Sequence, residues 1–188
     1  MPSAHVNPER DRQPDSGRAP DPHDAVNLAT RTVHVPGLRS DLTVTGNLHE
    51  RIAQIAGHQR GRIARRQLLA AGAGYSSINW FVASGRLKPK HRGVYAVGHD
   101  APAPLAAATE VLLALRDGSA LSHLTAAALW GLIPEPGPAA QLHTTVPGGT
   151  AGAALNVVLV HRARRLAPGD VRVRRGLPLT SPARTLLD

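Results

Sequence analysis

Between Asn47 and Val97 the apolar residues fall into three short helical stripes, each closed by glycine, and then into a tight basic hairpin. Asn47 is a helix-capping residue type, and Leu48, Ile52 and Ile55 follow it at the spacing of one buried face, with Gly57 as a stop. A second short helix enters at Ile63, turns Leu68 and Leu69 inward, and breaks at Gly72 and Gly74. Ser76 or Ser77 is placed to cap a third, in which Ile78, Phe81 and Val82 stand at i, i+3 and i+4 before Gly85. Leu87, Val94 and Val97 then bracket the Pro/Gly-containing turn of Lys88-Pro89-Lys90-His91-Arg92-Gly93, which predicts a β-hairpin.

Three short helices with a basic hairpin after the third make the plan of a winged helix-turn-helix. One helix of that size fits the major groove of B-form DNA, and the wing lies over the backbone beside it. On this reading Arg62, Arg65 and Arg66 on the second helix, and Arg86, Lys88, Lys90, His91 and Arg92 at the wing, are phosphate-type contacts. The third helix presents Tyr75, Ser76, Ser77, Asn79 and Trp80 away from its buried stripe, and Asn79 is the residue suited to reading an adenine edge. Four of the five aromatic residues, Tyr75, Trp80, Phe81 and Tyr95, fall in this stretch, with Phe81 and Tyr95 expected in the core.

Charge points the same way. The formal net charge is +9, yet residues 1–47 carry five Arg against six Asp or Glu. From Arg51 to His99 there are nine Lys or Arg and no carboxylate. Basic residues return at Arg162, Arg164, Arg165, Arg172, Arg174 and Arg175. A basic block within a patterned, foldable segment is the electrostatic footprint of a nucleic-acid face.

The flanking segments differ. Residues 1–47 are Pro-rich, near neutral and aperiodic, and are expected to be a disordered tail, with 1–40 dispensable for DNA binding. Residues 48–99 are the winged-helix domain. Residues 101–188 read as a small mixed helix–strand domain, entered through the hinge Ala101 to Pro104 and serving dimerisation or a missing effector. Its expected helices are Leu105–Leu115 and Leu124–Trp130, and its expected strands Gln141–Val146, Asn156–His161 and Val171–Arg174. Thr180-Ser181-Pro182 starts a last helix, a capping hydroxyl followed by Pro, and its nearness to Asp188 suggests a truncated reading. The expected fold class is thus α+β.

Catalytic readings find little support. With no cysteine there is no disulfide framework, thiolate zinc site or Cys nucleophile. The only lysines, Lys88 and Lys90, follow Arg86 and Lys88 at two residues' distance, so an Asp/Glu-x-Lys nuclease motif is absent. The glycines at 148–152 lack the lysine of a phosphate-binding loop, and His49-Glu50 lacks the second His of a zinc-protease helix. Ser122-His123 reads as a cap rather than a nucleophile pair, and the ten histidines show no metal-ligand spacing. No apolar run approaches the roughly 18–20 residues of a bilayer span, and no secretory h-region begins the chain. The expectation is a basic, cytoplasmic DNA-binding protein with no enzymatic activity, cofactor, metal or membrane.

The run from Ile63 to Val97, containing RRQLLAAGAGYSSINWFVASGRLKPKHRGVYAV, resembles the N-terminal winged-helix domain of AbiEi-type antitoxins, which belong to type IV toxin–antitoxin systems. ALSHLTAAALWGL and GLPLTSPARTLLD are similar to the linker domain of the same family, so the resemblance spans about residues 48–188. Its most specific pieces are Gly85-Arg86-Leu87, His91 to Tyr95 and Ser181 to Asp188. The resemblance implies double-stranded DNA as partner, autorepression of a toxin–antitoxin operon, and only an indirect link to the toxin. Relatives often add a C-terminal domain similar to very-short-patch-repair endonucleases, which this sequence does not contain. They often carry Arg on the third helix where this chain has Asn79, Trp80 and Phe81, which shifts weight to the wing. Two other readings stand beside it: the DNA-targeting part of an endonuclease-like protein, and a protein–protein adaptor.

Overall fold

The first helix starts where its cap demands. In the computed structural model α1, Leu48–Gly57, is closed by a reciprocal pair in which Asn47 Oδ1 accepts the Glu50 amide and Glu50 Oε2 accepts the Asn47 amide. The structure describes residues 30–38, 40–98, 100, 103, 105–115, 117–137, 140–148 and 158–188. The expected tail up to residue 29, most of the hinge and most of the 148–152 turn lie outside the described residues.

Two strands precede α1. Strands β1, Arg31–Val33, and β2, Leu42–Val44, form an antiparallel hairpin that packs its valines into the core of the helical unit. The disordered tail expected through residue 47 is therefore corrected over this stretch. Val33, Val35 and Val44 are isolated among polar residues in sequence, but all three are buried once the hairpin folds onto the helices. The Gln67 amide anchors the hairpin by donating to the His34 carbonyl at 2.7 Å.

Strand β3, Arg62–Ala64, takes the place of the second helix's expected entry at Ile63, so α2 covers only Arg65–Ala70. Helix α3 is Tyr75–Ala83 and is followed by β4, Leu87–His91, and β5, Val94–Val97, the predicted hairpin. Gly74, not Ser76 or Ser77, is the residue before α3, and both serines fall within its first turn. The three strands pair antiparallel in the order β3-β5-β4, the winged-helix arrangement. Ile55, Ile63, Leu68, Ile78, Phe81, Leu87 and Tyr95 share one core.

The second unit is built on a mixed five-stranded sheet. Its elements are α4, Ala106–Ala114; β6, Ala120–Leu121; α5, His123–Trp130; β7, Leu142–Pro147; β8, Val158–Ala163; β9, Val171–Arg174; β10, Leu177–Thr180; and α6, Pro182–Leu187. The strand order is β8-β7-β6-β10-β9, parallel between β7 and β8 and between β6 and β10, antiparallel elsewhere. Strands β6 and β10 were not expected; both are wholly buried. Leu112, Leu121, Ala126, Leu129 and Leu179 form the core beneath them. Ser181 caps α6 as expected, its Oγ accepting the Arg184 amide at 3.3 Å with Pro182 in the first turn.

The two units meet where α4 lies against β3 and β5, with Ala64, Val94 and Leu113 buried together. The molecule is a mixed α+β protein, and no helix among the described residues is long and apolar enough to cross a membrane.

The hairpin's place in the core makes a direct prediction. Val44 is fully buried, while Thr43 beside it faces solvent. Val44→Asp should cost about 3 kcal/mol or more by placing an unpaired charge in the core, and Thr43→Asp should stay within about 0.5 kcal/mol of wild type. Urea unfolding of the full chain measures both. Equal, small effects would detach the hairpin from the fold.

Candidate nucleic-acid interface

Helix α3 buries Ile78 and Phe81 and turns Tyr75, Ser76, Asn79 and Trp80 outward, as its periodicity predicts. Ser77 is half-buried. Tyr75 keeps 63% of its surface exposed and Trp80 41%, unusual for large rings in a chain so poor in them. Each ring carries an arginine. The Arg65 guanidinium stands 5.8 Å from the Tyr75 ring centre, and that of Arg86 stands 4.7 Å from the Trp80 ring centre. Arg86 also approaches His49 Nε2 at 2.8 Å, and His49 in turn packs edge-on against Phe81. Thus both ends of the outward face of α3 hold a guanidinium laid against an aromatic ring.

The wing lies beside this face. Its turn, Arg92-Gly93, is tied to α2 by the Arg65 amide, which donates to the Gly93 carbonyl at 2.7 Å. Gly93 has φ +73°, a left-handed conformation that favours glycine. Lys88 and Arg92 are exposed and have no ion-pair partner among the described residues.

Four other predicted contacts are placed differently. Arg62 is 4% exposed and binds Glu110 at 2.6 Å and Asp100 at 3.1 Å. It is a buried structural ion, not a phosphate contact. Arg66 donates to the Leu113 carbonyl at 2.6 Å and pairs with Asp117 at 3.0 Å. Lys90 binds Asp100 at 2.9 Å, and His91 lies 3.5 Å from Glu110. The Lys90 ammonium, by its hydrogen bond, holds the Asp100 carboxyl below the usual carboxylate range. The stretch from Arg51 to His99 is free of carboxylates in sequence, but the next segment supplies Asp100, Glu110 and Asp117 in space. Of the residues expected to contact DNA, Arg65, Tyr75, Ser76, Asn79, Trp80, Arg86, Lys88 and Arg92 are exposed and stand outside these ion pairs.

A second group of side chains had no sequence signal. His123 opens α5, His143 lies on β7 and His161 on β8, each about twenty residues from the next. The parallel register sets His161 opposite Thr145, two residues from His143 and on the same face. The His123 and His161 rings stack at 3.5 Å between centres, and His143 Nδ1 lies 3.1 Å from His161 Nε2. Burial lowers the pKa of all three imidazoles, and their mutual repulsion lowers it further. A cleft of about 820 Å³ between α4 and α5 is largely apolar, and its Glu110 is engaged by Arg62.

The buried pair sets a stability test. Arg62→Ala should destabilise the chain by about 3–5 kcal/mol, because Glu110 is left as a buried charge without its main partner. Arg62→Met combined with Glu110→Leu should cost much less than either single change to Ala. Unfolding curves of the set measure the coupling; native stability in Arg62→Ala would contradict the burial.

No family model and no curated protein matches the chain. Among solved structures, it is similar to the crystal structure of the RV2827C protein from Mycobacterium tuberculosis, at 20% identity and a TM-score of 0.36. The match covers 62% of this chain and 45% of that one, so the chain spans under half of that protein's length.

Proposed function

We propose that the chain binds double-stranded DNA through α3 and the wing, and acts in the cytoplasm as a transcriptional repressor of the kind its sequence resembles, an AbiEi-type antitoxin that controls its own operon. The observation that carries this reading is the outward face of α3, flanked by the Arg65–Tyr75 and Arg86–Trp80 stacks and bordered by Lys88 and Arg92 on the wing. A guanidinium held over a ring has lost part of its conformational freedom before any phosphate arrives, so less entropy is lost on binding. Asn79, between the stacks, is the side chain with the donor–acceptor pair that matches adenine. The function is binding rather than catalysis, and self-association through the second unit would present two such faces to a two-fold operator.

The reading is tested on a duplex site enriched from a random pool and on scrambled duplex, by fluorescence anisotropy across a salt series. Changing Arg65, Lys88 and Arg92 together to Ala should weaken both DNAs and flatten the slope of log K against log salt by about 2–3 units. Arg66→Ala, which removes a cation already facing Asp117, should change that slope by well under about one unit. Asn79→Ala should cost about 1–3 kcal/mol on the enriched site and little on scrambled DNA. Absence of duplex binding at low salt, or an unchanged slope in the triple variant, would overturn the proposal.

A further inference from the structure

The three histidines of the second unit come from separate elements, so no local repeat accounts for their meeting. Their candidate ligand atoms all lie within 4.8 Å of one another. For a tetrahedral zinc ion with bonds of about 2.0–2.1 Å, ligand nitrogens stand roughly 3.3–3.4 Å apart. The 3.1 Å between His143 Nδ1 and His161 Nε2 is close to that edge, and the His123 ring, stacked on His161 at 3.5 Å, would turn out of the stack to aim its nitrogen at the same ion.

The surroundings of His123 match those of a metal ligand. Its Nδ1 lies 3.0 Å from Ser122 Oγ and 3.9 Å from the Asp188 carboxylate, which leaves Nε2 for a cation. Ligating imidazoles commonly have their second nitrogen fixed in this way by a hydroxyl, carbonyl or carboxylate. The Asp188 carboxylate is itself buried and held by Arg184 Nε at 2.7 Å. His123 is one of few non-glycine residues here with a left-handed backbone, at φ +49°, a conformation that persists where surroundings over-determine it. Imidazole nitrogens suit zinc, copper, nickel and iron, and no thiolate is available to favour softer ions.

We propose that His123, His143 and His161 form a zinc-binding site, with the Ser122 hydroxyl holding the second nitrogen of His123, which fastens the start of α5 to β7 and the edge strand β8. Three nitrogens leave a fourth position for water or an exchangeable ligand. The site is independent of the α3 face and stands whether or not the chain binds DNA.

The test uses the untagged full chain after chelator treatment and dialysis. Zinc titrated by calorimetry should bind at one equivalent with a Kd at or below the micromolar range, and should raise the Tm. Cobalt(II) should give the intense visible bands of low coordination. His143→Gln and His161→Gln should each weaken zinc at least tenfold and abolish the cobalt bands, and Ser122→Ala should weaken zinc about tenfold. Should a glutamine variant fail to fold, long-range nitrogen–proton spectra of the wild-type imidazoles decide: zinc must shift and lock the tautomers of these three histidines. Zinc that does not bind stoichiometrically, that binds undiminished in both glutamine variants, or that shifts other histidines instead would overturn the proposal.

Discussion

The Arg62 guanidinium is the hinge pin of the molecule. It sits on β3, the first strand of the wing sheet, and its two acidic partners come from beyond that sheet, at Asp100 and on α4 at Glu110. Desolvating such a group is unfavourable unless its hydrogen bonds are satisfied, and Arg62 also donates to the Arg60 carbonyl. Once that geometry is met, α4 is fixed against β3 and β5, and the apolar seam of Ala64, Val94 and Leu113 can close. The second unit is thereby positioned by a charge that, on sequence alone, belongs to the binding face.

The same interaction sorts the cations. A basic block is read from sequence as a single face because its neighbours along the chain are basic too. In space the block has an inner and an outer side. Arg62, Arg66, Lys90 and His91 meet carboxylates on α4 and in the segments around it. Arg65, Arg86, Lys88 and Arg92 face outward, two of them against aromatic rings. The part of the block that stands outside these ion pairs is smaller than the composition suggests.

Legibility in the sequence followed local information. Helix α1 was readable because Asn47 is a capping residue type and Leu48, Ile52 and Ile55 repeat on one face; the Glu50 half of its cap is seen only in the structure. The wing was readable because Gly93 permits a turn between two apolar-flanked strands. Strand β10 was not, since Leu177-Pro178-Leu179 is buried on both sides, lacks alternation and contains a proline that argues against a strand. Strands β1 and β2 are three residues each, too short for a period, and their valines gain meaning only against α1 and α2. On the candidate interface, the outward residues of α3 were legible from helical spacing, whereas the loss of Arg62 to Glu110 was not, because its partner lies 48 residues away. The histidine group was invisible for the same reason, each member resting on a different element.

The placement of the two tryptophans has an optical consequence. Trp80 lies on the outer side of the wing unit under Arg86, and Trp130 ends α5 in the second unit, under Arg174 and with its indole N–H donating to the Thr180 carbonyl. Each half of the molecule thus contains a single tryptophan, one partly in water and one hydrogen-bonded to a buried strand, and excitation at the red edge selects them over the tyrosines. Replacing either with Phe separates the emission of the two halves, so that the order in which they lose structure can be followed without any added label.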